Sequence, residues 1–234
     1  MYSDVEYFVR ACEDCQTRKN PPKKLRAPLI PIEISEAFEY VAIDCIGPLP
    51  KSDQSNKYIV CITDLMTKWP EAFAVPSIDA IIIARLLHDE IIARHGCPRV
   101  ILSDQARNFR AKLVKALYKV CNITKSTTTA YHPQCNGLCE RFNATLVTCL
   151  SKFVNSQQTD WDEYIPAVLF AYRTTPCTES TQFSPFYLLY GRHPVLPMDA
   201  SLIKPTDATK SADVHLQRVI QRLEVAQEIA KEKR

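Results

Sequence analysis

Apolar positions in the first half of the chain follow two spacings, one typical of strands and one typical of helices. Three short apolar runs predict strands, at 38–46, 57–64 and 69–75. The polar segment 51–56 predicts the connection of a hairpin between the first two runs. A nearly all-apolar stretch at 78–94, which Gly96 and Pro98 follow, predicts a helix.

The following segments alternate strand and helix. The apolar run 99–103 predicts a strand, 109–121 predicts a helix, and the Thr-rich run 123–130 predicts another strand. Three strands followed by this alternation predict an α/β fold, with a five-stranded mixed sheet and helices on both faces. The later predicted elements are a helix at 161–172, a Pro-rich stretch at 173–208 with a short helix at 184–190, and a polar helix at 209–233.

The stretch 131–143 combines a break, a turn and a helix start. Pro133 disfavours helix at the residue before it, and Asn136-Gly137 is a turn or helix-entry signal. Helically spaced apolar residues then form one stripe: Leu138, Phe142, Leu146, Cys149, Leu150 and Phe153. Glu140 lies far from this stripe, in the first turn, where the helix dipole favours an anion.

Two further carboxylates follow apolar runs. Asp104 directly follows the strand at 99–103, and Asp44 ends the run Tyr40–Ile43. With Glu140 they form a set of acceptor-only oxygen ligands, which suits Mg²⁺ or Mn²⁺ far better than Zn²⁺. Each of the three carboxylates also has an ordinary structural interpretation, because Asp residues at strand ends cap turns and Glu residues in the first turn stabilise helix starts.

The motifs around these carboxylates resemble the integrase catalytic core of gypsy-type LTR retrotransposons, in the retroviral integrase superfamily. The resemblance extends from about Met1 to about Asp199. It rests on Asp44 with Gly47-Pro48, Thr63-Asp64 with Thr67-Lys68-Trp69, Ser103-Asp104-Gln105 with Asn108-Phe109, Tyr131-His132-Pro133-Gln134, Asn136-Gly137, Glu140-Arg141-Phe142-Asn143, Ser184-Pro185-Phe186 and Tyr190-Gly191-Arg192. Where the family usually has Gly two residues after the second Asp, this chain has Ala106.

The resemblance implies an RNase H-like fold, in which the first and fourth strands are parallel neighbours. It implies a Mg²⁺- or Mn²⁺-dependent phosphoryl transfer, with Asp44 bridging two ions, Asp104 on one and Glu140 on the other. It also implies 3′-end trimming and strand transfer of retroelement DNA into target DNA, in the nucleus and by a homo-oligomer. Candidate DNA contacts are Gln134, Asn136, Arg141 and Asn143.

The N-terminal part resembles a truncated zinc module followed by a basic linker. Cys12 and Cys15 form a Cys-x-x-Cys pair, but structural zinc takes four ligands and no His precedes the pair. A Zn²⁺ site here would need ligands from elsewhere, and two reduced thiols are the alternative. We therefore predict three segments: 1–29 for this module and linker, 30–192 for the catalytic core, and 193–234 for a Pro-rich linker and C-terminal helical extension.

Composition narrows the functional classes. The net charge of +3 excludes a uniformly polycationic chain, so nucleic-acid binding must rest on local patches. Ten Cys without a secretory signal pattern predict a reducing compartment. No apolar run approaches the length of a membrane span. The sequence leaves open an alternative function, a domesticated or decayed integrase that binds nucleic acid or protein without catalysis.

The last predicted helix, at 209–233, carries a broken apolar stripe: Val214, Val219, Ile220, Leu223 and Ile229. This pattern predicts a projecting helix that needs a partner or a following domain.

Overall fold

The computed structural model describes residues 2–12, 34–104, 106, 108–127, 137–177, 180–197, 199 and 212–232. The chain divides into two compact units, Met1–Ile32 and Glu33–Arg234. In the first unit, α1 (Tyr2–Ala11) is an exposed helix with an ion pair between Glu6 and Arg10 at 2.7 Å. Cys12 follows this helix, whereas Cys15 lies outside the described residues, so the zinc prediction stays a prediction.

The second unit contains the sheet and the other described helices. Its strands are β1 (Tyr40–Ile46), β2 (Tyr58–Asp64), β3 (Pro70–Val75), β4 (Val100–Ser103) and β5 (Thr124–Thr127). Its helices are α2 (α-helical at Ala80–Leu86, π-helical at Leu87–Ile92, α-helical at Ala93–His95), α3 (Lys112–Val120), α4 (Gly137–Leu150), α5 (Ile165–Thr174), α6 (Pro185–Tyr190) and α7 (Ala212–Glu232). None of the described helices combines the length and apolarity needed to cross a membrane.

The five strands form one mixed sheet in the order β3-β2-β1-β4-β5. β1 pairs antiparallel with β2 and parallel with β4, and β5 pairs parallel with β4. The predicted α/β class and the parallel pairing of the first and fourth strands are therefore confirmed. The β1–β4 register pairs Ala42 with Leu102. Two residues further along both strands, Asp44 and Asp104 reach the same edge of the sheet.

One face of the sheet is covered by α2 and α3. Ile83, Leu87 and Ile91 of α2 are fully buried, together with Val114 and Tyr118 of α3. The stretch 78–94 was predicted as one regular helix, but its middle turn is π-helical. Apolar spacing could not reveal this turn, because a nearly all-apolar stretch carries no sharp period.

The turn between β2 and β3 is organised by Asp64. This buried carboxylate accepts hydrogen bonds from Phe38 N at 2.9 Å, Thr67 N at 2.8 Å and Thr67 Oγ1 at 2.6 Å. Burial raises the pKa of Asp64 against the effect of these bonds. Lys68, at φ +63°, donates from Nζ to Leu65 O at 2.7 Å. The Thr63-Asp64 and Thr67-Lys68-Trp69 motifs therefore have a structural role in this chain.

The last helix packs against α6. Ala226 and Ala230 of α7 are buried beside Leu188, and Lys231 Nζ donates to Ser35 O at 3.0 Å. The prediction that this helix projects from the body is therefore wrong for its C-terminal half. Ala226 and Ala230, which the predicted stripe did not include, are buried there, whereas Ile220 of the stripe is 45% exposed.

Gly191 ends α6 at φ +64° and lies against α7. A Cβ there would come within 2.9 Å of Leu223 Cγ and 3.1 Å of Val219 Cγ1. We expect Gly191→Ala to cost about 1–3 kcal/mol and to accelerate hydrogen exchange along 219–230, because α7 must move away. Hydrogen exchange read by mass spectrometry checks this.

Gly96→Ala is the control for that experiment. Gly96 also has a positive φ, of +89°, but a Cβ there would meet no heavy atom within 4 Å. It should lower the melting temperature through backbone strain without accelerating exchange in α7. Equal exchange in the two variants would contradict the close packing at Gly191.

Candidate active site at the β1–β4 edge

Asp44 lies in the second half of β1, between β2 and β4. Its carboxylate is held by two donors: Cys45 N donates to Oδ1 at 2.9 Å, and Asn143 Nδ2 donates to Oδ2 at 2.8 Å. The second bond ties the strand to α4. Asn143 Oδ1 is buried and has no hydrogen-bond partner within the described parts of the chain.

Asp104 begins the loop after β4. Its Oδ1 accepts from Ala106 N at 3.0 Å, and Ser103 Oγ donates to the Asp104 carbonyl at 2.7 Å. Ala106 also packs against the hydrophobic core. The loop therefore accommodates alanine where the family usually has glycine, and the Asx-type turn foreseen as an ordinary reading of Asp104 is present.

Glu140 lies in the first turn of α4 and is exposed. Phe142, Leu146 and Leu150 of the predicted stripe are buried in this helix. Cys149 of the stripe is only half-buried, and Phe153, beyond the end of the helix, is 59% exposed. Cys139, which the predicted stripe did not include, is fully buried. Phe142 packs edge-to-face on Tyr172 of α5, with ring centroids 5.1 Å apart. This packing fixes α4 against the body, so its polar first turn is presented beside Asp44.

The three carboxylates interact electrostatically. Burial raises the pKa of Asp44, and the negative charges of Asp104 and Glu140 raise it further, against the hydrogen bonds from Cys45 and Asn143. The three carboxylates thus lie close enough for the charges of two of them to act on the third.

The donor set fits a hard divalent cation, because carboxylate oxygens that repel one another are stabilised by such an ion. The amide oxygen of Asn143, buried beside Asp44, adds a further oxygen of the same kind. Within the described residues, however, no group of three or more His, Cys, Asp or Glu side chains is arranged to hold a metal ion. The assignment of Asp44, Asp104 and Glu140 as ligands therefore stays a prediction.

The neighbouring thiols of Cys45 and Cys139 do not compete with the carboxylates as metal ligands. Burial and the charge of Asp44 raise the pKa of Cys45 to about 12, and the same two causes raise the pKa of Cys139 to about 12. Both thiols are therefore protonated at neutral pH and are poor nucleophiles and poor metal ligands.

Lys125 of β5 is a residue at this edge that the sequence patterns did not reveal. Its Nζ donates to Ser103 Oγ and lies 5.2 Å from the ring centroid of Phe109. Burial lowers the pKa of Lys125 to about 8, while the charge of Asp104 opposes this decrease. The register of β4 with β5 brings this side chain close enough to Asp104 for the two charges to interact, and no local sequence pattern predicts that pairing.

The predicted DNA contacts are described only in part. Gln134 and Asn136 lie outside the described residues. Arg141 is exposed in the first turn of α4, one residue after Glu140, and Asn143 is half-buried against Asp44. DNA binding by these four residues stays a prediction.

Two known proteins with similar sequences have names that refer to retroelements. The chain is 28% identical over 222 residues to the "Retrovirus-related Pol polyprotein from transposon 412" of Drosophila melanogaster, an alignment that covers 95% of this chain and 18% of that protein. It is 28% identical over 215 residues to the "Gypsy retrotransposon integrase-like protein 1" of Bos taurus, covering 90% of this chain and 41% of that protein. The chain thus spans less than half the length of these two relatives. No protein-family model matches it.

Among solved structures, the chain is similar to one in the "CryoEM structure of simian T-cell lymphotropic virus intasome in complex with PP2A regulatory subunit B56 gamma". The TM-score is 0.61 at 20% sequence identity, and the match covers 90% of this chain and 73% of that chain. This similarity, together with the strand order, confirms the predicted fold class. The chain is therefore similar in sequence to a retrotransposon Pol polyprotein and a gypsy integrase-like protein, and it has the predicted RNase H-like fold.

Proposed function

We propose that this chain is the catalytic region of a gypsy-type retrotransposon integrase, which trims the 3′ ends of retroelement DNA and joins them to target DNA. The observation that carries the proposal is the register of the parallel strands β1 and β4, which brings Asp44 and Asp104 to equivalent positions on neighbouring strands. The charge of Glu140 also acts on Asp44. The family of its sequence relatives supports it.

Asp44, Asp104 and Glu140 would hold two Mg²⁺ or Mn²⁺ ions. Such a pair supplies charge stabilisation to the attacking and leaving oxygens of an in-line phosphoryl transfer. The chain's own contribution is positional. Asn143 orients Asp44, and Lys125 with Ser103 supports the loop that carries Asp104. Arg141 is exposed beside Glu140, within the region where substrate phosphates would lie.

The proposal extends to partners and location. The substrate is DNA, and the joining of two DNA ends requires more than one active site, so we infer a homo-oligomer. A structural relative is part of a viral intasome, which agrees with this inference. Because the target is chromosomal DNA, the site of action is the nucleus.

A second candidate function is a domesticated or decayed integrase that binds DNA or protein without catalysis. The hydrogen bond from Asn143 Nδ2 to Asp44 Oδ2 favours it, because an oxygen that accepts from an amide has one lone pair fewer for a cation. With this bond in place, divalent ions would have to use the remaining lone pairs of the Asp44 carboxylate.

Metal binding read as thermal stability separates the two candidates. We expect Mg²⁺ or Mn²⁺ to stabilise the wild type by about 2.7 kcal/mol at a concentration 100 times Kd. For a chain of this size, that is a rise of several degrees in melting temperature. Glu140→Gln should greatly reduce the rise, because it removes one ligand charge.

The exposed Glu163 supplies the matched control, since Glu163→Gln makes the same chemical change far along the chain from the site. It should leave the rise intact. If neither ion raises the melting temperature of the wild type, the non-catalytic candidate stands and the enzyme proposal falls.

A further inference from the structure

The sequence between two of the candidate carboxylates carries positive charge and no negative charge. Residues 105–139 contain six Lys and Arg and no Asp or Glu, whereas the rest of the chain contains 23 Lys and Arg against 26 Asp and Glu. The remainder is thus net negative, and the excess of positive charge comes from this segment. Such asymmetry points to a local surface for a polyanion.

Three of these charges form a row on α3. Lys112, Lys115 and Lys119 are all exposed, and helical geometry places them within about 60° of one another. Val114 and Tyr118 are buried on the opposite face. We call these three residues the lysine row.

A row of lysines on a solvent face is by itself ordinary, because surface helices usually carry charges. Such helices also usually mix signs, as α7 does with Arg222, Glu224, Glu228 and Lys231. By contrast, α3 has no acidic residue, and no ion pair of the described residues involves the lysine row. Among the described residues, the positive charge of the lysine row is therefore not neutralised by an ion pair.

The row also has a fixed direction from the candidate site. α3 connects the carboxyl end of β4, where Asp104 lies, to the amino end of β5. Lys112 is therefore the member of the row on the side of the sheet where β4 ends, and the row extends from it over about 10 Å, at 1.5 Å per residue. Each strand of B-DNA carries one charge per 3.4 Å of helix axis, so this length matches about three phosphates.

We propose that the lysine row binds the phosphate backbone of duplex DNA, as a track that leads away from the reacting site. This inference rests on the proposed function for the identity of the polyanion, and it adds a surface outside the three carboxylates. Its contacts are to phosphates, so the track adds affinity and orientation but no sequence preference.

The test measures DNA binding without chemistry. Fluorescence anisotropy with a 30-base-pair duplex of arbitrary sequence, in EDTA and over a series of KCl concentrations, gives the slope of log K against log[salt]. The triple variant Lys112→Gln, Lys115→Gln, Lys119→Gln should lower the magnitude of this slope by about 2.7, since each phosphate contact contributes about 0.9. Affinity should fall more than tenfold near 0.1 M KCl.

A second triple variant, Arg85→Gln, Lys152→Gln, Arg222→Gln, removes the same charge from exposed positions outside α3. It should keep the wild-type slope. The conservative variant Lys112→Arg, Lys115→Arg, Lys119→Arg should also keep it, which excludes misfolding of α3 as the cause of the loss.

Three results would overturn the inference: no binding by the wild type, equal losses in the two Gln triple variants, or an unchanged slope in the lysine-row variant. Competition by polyglutamate as effective as by DNA would overturn it in favour of an acidic protein partner. Strand transfer is assayed separately in Mg²⁺. An inactive wild type that still shows the expected slope change refutes the proposed function and leaves the DNA track standing.

Discussion

Asp44→Asn should lower strand transfer about 10³-fold or more while raising the melting temperature of the metal-free protein. The loss corresponds to about 4 kcal/mol of transition-state stabilisation. The loss is expected because, under the proposed function, Asp44 would help to hold the divalent ions that stabilise the transition state. The gain in stability has a different cause. The Asp44 carboxylate lies in a partly buried site, where the charges of Asp104 and Glu140 repel it. Removal of that charge relieves the repulsion.

The substitution is expected to fit without repacking. Asparagine has the shape of aspartate, and its oxygen can still accept from Cys45 N. Its new amide group would face Asn143, whose Oδ1 has no partner among the described residues. If the side chain of Asn143 flips, its Oδ1 can accept a hydrogen bond from this new amide group, so the two side chains remain hydrogen-bonded.

Differential scanning fluorimetry and a strand-transfer assay on the same preparations measure both effects. Asp53→Asn is the matched control, since Asp53 is exposed in the loop between β1 and β2, and it should change neither quantity. Strand transfer retained by Asp44→Asn would show that this carboxylate is not part of the reacting site. A fall in melting temperature would show instead that Asp44 has a purely structural role.

The strands and the chain positions of the three carboxylates could be predicted because their signals are local. Each of the three predicted strands at 38–46, 57–64 and 69–75 is present within two residues at each end. Three residues of the buried face of α4, Phe142, Leu146 and Leu150, follow directly from helical spacing. The parallel pairing of β1 with β4 came from the resemblance, which linked an order of elements to a known sheet.

The contacts that define the site's electrostatics could not be predicted, because they join residues distant in sequence. The bond between Asn143 and Asp44 spans 99 positions, and the bond between Lys125 and Ser103 spans 22. Neither residue carries a local pattern that names its partner. The packing of α7 was missed for a related reason: Ala226 and Ala230 add little to an apolar stripe, yet their small size permits close approach to Leu188.

A second network lies away from the candidate site and holds β3 to α2 and α5. Glu71 of β3 is buried, with 5% of its side chain exposed. Its Oε2 accepts from Arg173 at 2.6 Å, and its Oε1 accepts from Trp69 Nε1 at 3.0 Å. Arg94 lies 3.3 Å from Oε1, and His95 Nε2 lies 3.5 Å from it. Arg173 also stacks on the Trp69 ring at 4.3 Å.

The pKa of Glu71 reflects this setting. Burial would raise it, but the contact with His95 and the charge of Arg173 outweigh burial and lower the pKa below its ordinary value. A carboxyl group whose pKa is lowered by folding stabilises the fold above its unfolded pKa of about 4.3. That stabilisation is lost as the pH falls through the lower pKa of the folded state.

Glu71→Gln should therefore destabilise the protein by about 3 kcal/mol at pH 7, because it leaves Arg173 partly buried without a counter-charge. This corresponds to a fall of about 6–12 °C in melting temperature for a chain of this length. The difference from wild type should shrink below about pH 4, where the wild-type carboxylate also becomes protonated. Glu90→Gln removes an exposed partner of Arg94 and should cost no more than about 0.5 kcal/mol. Equal costs for the two substitutions, or a Glu71→Gln cost that grows as the pH falls, would contradict the role assigned to this buried carboxylate in joining β3 to the helices.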